Sequence, residues 1–309
     1  MLHSIVDDLC RIHADELDLE IVTTLDTRLG RELAADLETW PGEAQIERVN
    51  SKDGELFDRL TRECDATLVI APEFDGYLLD LSERVLKSGG QLLGSGPQAI
   101  TIAADKLRLG AHLEARGVAT PATSAVETQR PTRSPPWVIK PRFGAGCGHT
   151  YRVTNETELG DILMTIRQTG GPRELIASEF CPGIDASVSF LLGGQEIRSL
   201  APGLQHVQVD ERGRLTYRGG EVPLSSPVLT RRALEIGLRA VESLPGLRGF
   251  VGVDLILADD PLSENSSRDR VIEINPRVTS SYPLLKAMEP ERNLMREWLS
   301  GSFELGAQN

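Results

Sequence analysis

Val271-Ile272-Glu273-Ile274-Asn275-Pro276-Arg277, taken with Gly252-Val253-Asp254-Leu255-Ile256-Leu257 upstream, decides how the rest of the chain is read. Side chains alternate faces along a strand, so Glu273 and Asn275 share one face while Ile272 and Ile274 point into a core. The earlier apolar stretch reads as a second strand that delivers Asp254, before a polar excursion over Asp259–Asp269. Two carboxylates and an amide converging on one sheet face make an all-oxygen site. Mg²⁺ takes such ligands and keeps positions open for water and phosphate oxygens, with Mn²⁺ as the alternative ion. Arg277 follows at once, and a planar guanidinium suits a phosphoryl or acyl-phosphate group.

Working back from that site, Trp137-Val138-Ile139-Lys140-Pro141 reads as a strand that runs into a glycine loop, Gly144-Ala145-Gly146-Cys147-Gly148. Glycines let backbone amides approach phosphates closely, and Lys140 adds a positive charge beside them. No Gly-Lys-Ser/Thr follows, so this is not a Walker loop. Alone, the loop also reads as a mobile hairpin tip and Lys140 as a solvated strand end. Glu179-Phe180-Cys181-Pro182-Gly183-Ile184-Asp185 is a strand breaking into an irregular connection. Its backbone groups suit an adenine edge and the Asp185 carboxylate suits ribose hydroxyls, although a Pro-Gly turn with flanking acids is also an ordinary turn. Asp105-Lys106 falls inside a helix expected from Gly96 to about Arg116, where a solvated helical face is the plainer reading.

The first part of the chain alternates helices and strands. Helices are expected over 2–19, Arg28–Thr39, Leu56–Glu63 and Leu78–Ser88, and strands over Leu19–Thr24, Ile46–Val49, Ala66–Ala71 and Gln91–Leu93. That alternation predicts a doubly wound parallel α/β domain over residues 1–96. It opens with a helix where a strand is usual. Either a first strand is missing because the start is truncated or mis-assigned, or the sheet is smaller. Residues 97–309 read as α+β. Strands fall at Tyr151–Val153 and Leu175–Phe180, helices at Glu156–Gln168 and Thr230–Leu244, and a hairpin pairs Ala186–Leu192 with Glu196–Leu200. Glu73 and Asp75 sit in a loop after a parallel strand and could meet an amine. Gln205, His206, Tyr217 and Gly219-Gly220 fall in a loop-rich region that could also face substrate, although a lone His206 also reads as a surface residue, and Ser280, Ser281 and Tyr282 follow the arginine and could touch the carboxylate donor.

At 40% hydrophobic and 26% charged residues the chain has the composition of a globular protein. Its 33 Lys and Arg against 46 Asp and Glu give −13, which argues against nucleic acid or an anionic membrane as partner. No apolar run approaches a membrane span and no secretory signal pattern opens the sequence, so a cytoplasmic location is expected. Cys10, Cys64, Cys147 and Cys181 are scattered without a CxxC pair, so neither a zinc site nor a disulfide framework is expected.

In chain order, Asp-Lys on a helix, strand-Lys-glycine loop, Glu-containing hinge, then Asp…Glu-x-Asn-x-x-Arg resemble the ATP-grasp superfamily of carboxylate–amine ligases. The likeness runs from Gly94 to Leu285. It implies two α+β subdomains, about 120–182 as nucleotide lid and about 183–309 as metal-binding half, gripping ATP behind an α/β domain. By position it implies that Lys106 and Lys140 contact phosphates, with Gly144, Gly146 and Gly148 around them. Glu179, Phe180 and Cys181 take the adenine hinge and Asp185 the ribose, where the family usually has Glu. Asp254, Glu273 and Asn275 hold Mg²⁺, and Arg277 stabilises the acyl phosphate. The implied reaction joins a small-molecule carboxylate to an amine through that intermediate, releasing ADP and phosphate. A small-molecule kinase and a non-catalytic ATP-binding module stay open as alternatives, as does a homodimer.

A narrower likeness is carried by Leu92–Gly96, Pro182–Ser189 and Glu273–Tyr282. These stretches are similar to the ATP-grasp group that contains tyramine–glutamate ligase, an enzyme of methanofuran-type cofactor biosynthesis.

Overall fold

The computed structural model describes residues 1–15, 19–27, 44–49, 54–126, 134–193, 196–260, 263 and 267–302. The helix expected at Arg28–Thr39 lies outside them. The amino-terminal part holds α1 (Leu2–Asp15), β1 (Val22–Asp26), β2 (Gln45–Val49), α2 (Gly54–Glu63), β3 (Ala66–Thr67), α3 (Tyr77–Lys87) and β4 (Gln91–Leu92). β1 pairs with β2 and β3 with β4, both parallel, as alternating helices and strands require. The strand expected over Ala66–Ala71 keeps only two ladder residues, but Val69 and Ala71 stay buried beneath α3 with Leu78 and Val85.

α1 is amphipathic, and its apolar stripe does not stay within the amino-terminal part. Ile5 and Ile12 share a core with Tyr282, Leu285, Leu294 and Trp298 of α8 (Tyr282–Met288) and α9 (Leu294–Ser302). Asp8, fully buried, accepts a 2.6 Å hydrogen bond from Tyr282 Oη and ion-pairs with Lys286 at 2.7 Å. Lys286 also pairs with Asp7, and Asn293 Nδ2 donates to the Asp8 carbonyl at 2.7 Å. Tyr282, expected near substrate, is therefore a core residue: its ring packs on Phe250 and its hydroxyl is committed to Asp8.

The single helix expected from Gly96 to Arg116 is two, α4 (Pro97–Ala104) and α5 (Lys106–Ala115). Asp105 breaks it with extended dihedrals, φ −94° and ψ 98°. Its carboxylate caps α5 by accepting from the Leu107 and Arg108 amides, and takes two more bonds from Arg142 at 2.8 and 2.6 Å. Asp favours such a capping position over a helix interior, and Arg142 fixes it there. Lys106 thus opens a helix instead of lying within one.

β5 (Thr123–Ala125), β6 (Trp137–Pro141), β7 (Tyr151–Val153) and β8 (Leu175–Glu179) form an antiparallel sheet in the order β5-β8-β6-β7. Trp137 and Ile139 alternate inward against α6 (Glu156–Gln168), which leaves Lys140 on the other face. The largest sheet runs β12-β11-β9-β13-β14, with β10 (Glu196–Ser199) also on β9. Its other strands are β9 (Ile184–Gly193), β11 (Gly203–Val209), β12 (Leu215–Glu221), β13 (Gly249–Leu257) and β14 (Arg270–Asn275). The segment expected to be loop-rich, 203–221, is thus mostly a β-hairpin. α7 (Pro227–Ser243) covers one face, packing Ala233, Ile236 and Ala240 against Ala186, Val188, Phe190, Val253, Leu255 and Ile274.

A bulge corrects the expected pattern of β14. Asp254 is opposite Glu273, but Leu255 is opposite Val271, so Ile272 is the extra residue. Val271 takes the core position and Ile272 is only half-buried.

Candidate active site

The polar face of the large sheet gathers the residues that the sequence singled out. Opposed residues in antiparallel strands point the same way, and Asp254 is opposite both Ser187 on β9 and Glu273 on β14. Asn275, two residues on, sits opposite Gly252 and turns its Nδ2 to Asp254 Oδ2 at 3.0 Å. The other Asp254 oxygen accepts from Gln205 Nε2 at 2.8 Å. Burial first, and then repulsion from Glu273, push the Asp254 carboxyl up to about 6. Two carboxylates crowded on one desolvated face are a donor set that a divalent cation would relieve. Among the described residues no three His, Cys, Asp or Glu side chains gather as a metal site. The Asn275 amide, bonded to Asp254, adds a further oxygen-bearing group on that face. Gln205, read from sequence as part of a loop-rich region that could face substrate, lies instead on a strand and bonds Asp254.

Lys106 reaches this face from the first turn of α5. Its Nζ lies 2.7 Å from Glu273 Oε1 and 2.6 Å from the carbonyl oxygen of Gly144. One ammonium thus ties the glycine loop to the carboxylate face. The loop is a run of tight turns, with φ positive at Gly146 (66°) and also at Cys147 (60°) and His149 (51°). Gly146 needs a glycine's freedom there; Gly144 and Gly148 flank it. Lys140 stands beside the loop at the end of β6. Burial lowers its pKa, the Glu273 charge opposes that, and the Lys106 charge adds to it. Burial raises the Cys147 thiol, and the charges of Asp254 and Glu273 raise it further, so this cysteine is a poor nucleophile.

The Glu179–Cys181 segment leaves the end of β8 and leads towards β9. The Glu179 amide donates to the Ala122 carbonyl at 2.9 Å and the Phe180 amide to Pro136 at 3.1 Å. Those two backbone donors are committed within the protein. The Phe180 ring is held under the Arg152 guanidinium, 4.4 Å from its centroid. Asp185 lies one side-chain repeat along the sheet from Asp254, opposite Ile256. Burial pushes its carboxyl up to about 6. It lines an open groove of about 420 Å³ together with Leu204, Gln205, Gln208 and Arg218. Gln205 therefore joins this groove to Asp254.

Arg277 meets Glu73, not open solvent. Nη2 lies 2.8 Å from Glu73 Oε2, and Nη1 donates to the Val278 carbonyl at 3.1 Å. Glu73, expected as an amine contact, is buried against this guanidinium, while Asp75 is exposed. His206 is apart from the carboxylates, paired with Glu221 at 2.8 Å. Among the described residues no helix is long and apolar enough to cross a membrane.

Comparison with known proteins agrees with this arrangement. The chain is 29% identical over 273 residues to a tyramine–L-glutamate ligase of Methanocaldococcus fervens, covering 87% of this chain and 78% of that one. It is 27% identical over 243 residues to the enzyme of the same name from Methanocaldococcus jannaschii, covering 78% of this chain and 65% of that one. A crystal structure of an ATP-grasp superfamily protein from Archaeoglobus fulgidus superposes with a TM-score of 0.60 at 28% identity, over 84% of this chain and 72% of that one. Residues 19–100 match the family model of a pre ATP-grasp 3 domain. Residues 103–281 match that of an ATP-grasp domain, a span that holds Lys106, Lys140, Asp185, Asp254, Glu273, Asn275 and Arg277. With its polar sheet face, lysines and hinge all inside that span, the chain belongs to the ATP-grasp family, preceded by a pre-ATP-grasp domain.

Proposed function

We propose that the chain is an ATP-dependent ligase that joins a small-molecule carboxylate to an amine. The observation that carries this reading is the pairing of Asp254 with Glu273 on adjacent strands, with Lys106 bonded to both Glu273 and the glycine loop. In this reading residues 1–96 form the leading domain and 97–309 the ATP-grasp unit.

The donor carboxylate attacks the γ-phosphorus of ATP, the bond to the β-phosphate oxygen breaks, and an acyl phosphate and ADP form. The amine lone pair then attacks the acyl carbon, phosphate leaves, and the amine gives up a proton. No side-chain nucleophile is needed; positioning and charge stabilisation do the work. Cys181 presents its amide to adenine, next to Glu179 and Phe180, and Asp185 accepts from ribose. Lys140, Lys106 and the amides around Gly144, Gly146 and Gly148 hold the phosphates. Arg277 offsets charge on the transferred group and the tetrahedral carbon. Mg²⁺, with Mn²⁺ as the alternative, fits the oxygens of Asp254, Glu273 and Asn275, and when bound it neutralises phosphate charge. Closure of the glycine loop excludes water that would hydrolyse the acyl phosphate.

Similarity to the two Methanocaldococcus enzymes supports glutamate as donor and tyramine or a related aromatic amine as acceptor, a step of methanofuran-type cofactor biosynthesis. Free thiols at Cys10, Cys64, Cys147 and Cys181 accord with a reducing cytoplasm. The test is ADP release from Mg·ATP with glutamate and a panel of amines, tyramine first, with hydroxylamine to trap the acyl phosphate. A trapped hydroxamate and an amide product are expected. ADP without either product removes the ligase reading, and a phosphorylated hydroxyl in their place favours a kinase.

A further inference from the structure

We propose that Glu73, contributed by the domain ahead of the ATP-grasp span, is a positioning residue that aims the Arg277 guanidinium at the transferred group. The inference rests on the ligase reading for what Arg277 does.

The Glu73 side chain is 4% exposed, and the charged group it meets is Arg277, at 2.8 Å. It sits at the head of a tight turn in which Asp75 and Gly76 both have positive φ, 55° and 73°. The turn therefore projects a carboxylate into the interior while Phe74, Asp75 and Tyr77 stay outside. A carboxylate taken out of water in this way persists only with a cation beside it. Arg277 in turn is held by an ion pair to Glu73 at Nη2 and by a hydrogen bond from Nη1 to the Val278 carbonyl, while its buried Nε and both buried Glu73 oxygens have no hydrogen-bond partner.

The competing anions belong to the same stretch of chain: Arg277 follows Glu273 by four residues, and Asp254 is opposite Glu273 on the neighbouring strand. An arginine released from Glu73 would settle against those two carboxylates and neutralise the groups assigned to the cation. Glu73 thus keeps the guanidinium apart from the metal face without touching substrate. Sequence alone cannot locate such a pair, because its members belong to different domains.

The proposal is tested with Glu73→Gln, which keeps the shape and removes the charge, and Glu73→Asp, which keeps the charge on a shorter arm. Two readouts are needed. The first is amine-dependent ADP release. Glu73→Gln is expected to lower kcat about 10- to 100-fold, the scale of a misplaced catalytic group, with KM for ATP unchanged. Glu73→Asp recovers part of that loss, and in an Arg277→Ala background Glu73→Gln has no further effect. Additive losses overturn the proposal, because Glu73 would then act without Arg277.

The second readout is calorimetric binding of inorganic phosphate to the full chain saturated with Mg·ADP, which needs no turnover. Binding is expected to be lost in Arg277→Ala and to weaken about tenfold in Glu73→Gln, the scale of one charge-assisted contact. Phosphate affinity equal to wild type in Glu73→Gln overturns the proposal, as does wild-type phosphate binding that ignores Arg277. If Glu73→Gln fails to fold, Glu73→Asp decides in both assays, with intermediate values expected and unchanged ones contrary. A wild-type protein that binds phosphate through Arg277 but releases no ADP with any carboxylate–amine pair would sink the ligase reading alone.

Discussion

Lys106 and Glu273, 167 residues apart in the chain, meet at 2.7 Å with side chains 7% and 17% exposed. Each neutralises the other in a place where water reaches neither freely. Removing one partner of such a pair costs more than removing both, since the remaining charge stays buried. Lys106→Met is expected to destabilise the protein by about 3–5 kcal/mol, and the double variant Lys106→Met/Glu273→Gln by clearly less than the sum of the two singles. Urea denaturation of the four proteins checks this; strict additivity would show that the contact carries no coupling.

Glu273→Ala tests the chemistry of the same face. Loss of one charge-stabilising contact typically costs about a hundred- to a thousand-fold in rate. The variant should lose ADP release on that scale and bind ATP more weakly in Mg²⁺, with its circular dichroism spectrum retained. Full activity in Glu273→Ala would remove this sheet face from the reaction.

Asp105 gives the acid side of the stability profile. Burial raises its pKa, but hydrogen bonds from Arg142 and from the α5 amides outweigh this, and the net shift is below the ordinary Asp value. A folded pKa below the unfolded one means stability that is fully present above the unfolded value. It is lost as the pH falls through the folded one. Wild type should therefore lose stability more steeply than Asp105→Asn between about pH 4 and pH 2, the range below the ordinary Asp pKa. Parallel unfolding midpoints across that range would show that Asp105 is not the linked group.

Gly249 opens β13 with φ +69°, and a Cβ there would lie 2.3 Å from Cζ2 of Trp298. Left-handed strain costs about 1–3 kcal/mol, and forcing the indole aside adds overpacking of similar size. Gly249→Ala should lower Tm by several degrees and shift the tryptophan emission. A Tm equal to wild type would mean that α9 moves freely away from the sheet.

Tyr282→Phe leaves Asp8 buried with one hydrogen bond fewer. An unsatisfied buried acceptor costs about 1–3 kcal/mol. The loss should appear in thermal unfolding while the KM values stay as in wild type, because Tyr282 faces the core. A substrate-specific KM change would return Tyr282 to the active site.

What sequence showed and what it hid follow one physical divide. β14 was legible because apolar and polar residues alternate along it, and β13 because it is a nearly continuous apolar run interrupted by Asp254. The β14 bulge was not, since a single extra residue at Ile272 leaves the local pattern intact and is defined only by the partner strand. The β11–β12 hairpin escaped notice because its strands are half-exposed and carry glycine and charge where a buried strand would carry Val or Ile. The helical pattern runs unbroken across Asp105, and only Arg142, 37 residues on, draws that side chain out as a cap. Lys106 and Lys140 were found by their neighbours in sequence. The partners of Gln205 and of Glu73 could be found only by pairing across strands and domains.

The stitching of α1 into α8 and α9 limits how the protein can be dissected. A fragment starting at residue 97, the proposed border between the two units, would uncover the side of Leu294, Met295 and Trp298 that α1 packs on, with Lys286 and Asn293 stripped of their acceptors on α1. Such a piece should precipitate, and supplying residues 1–96 in trans should dissolve it. The opening helix is therefore part of the roof over the far end of its own polypeptide.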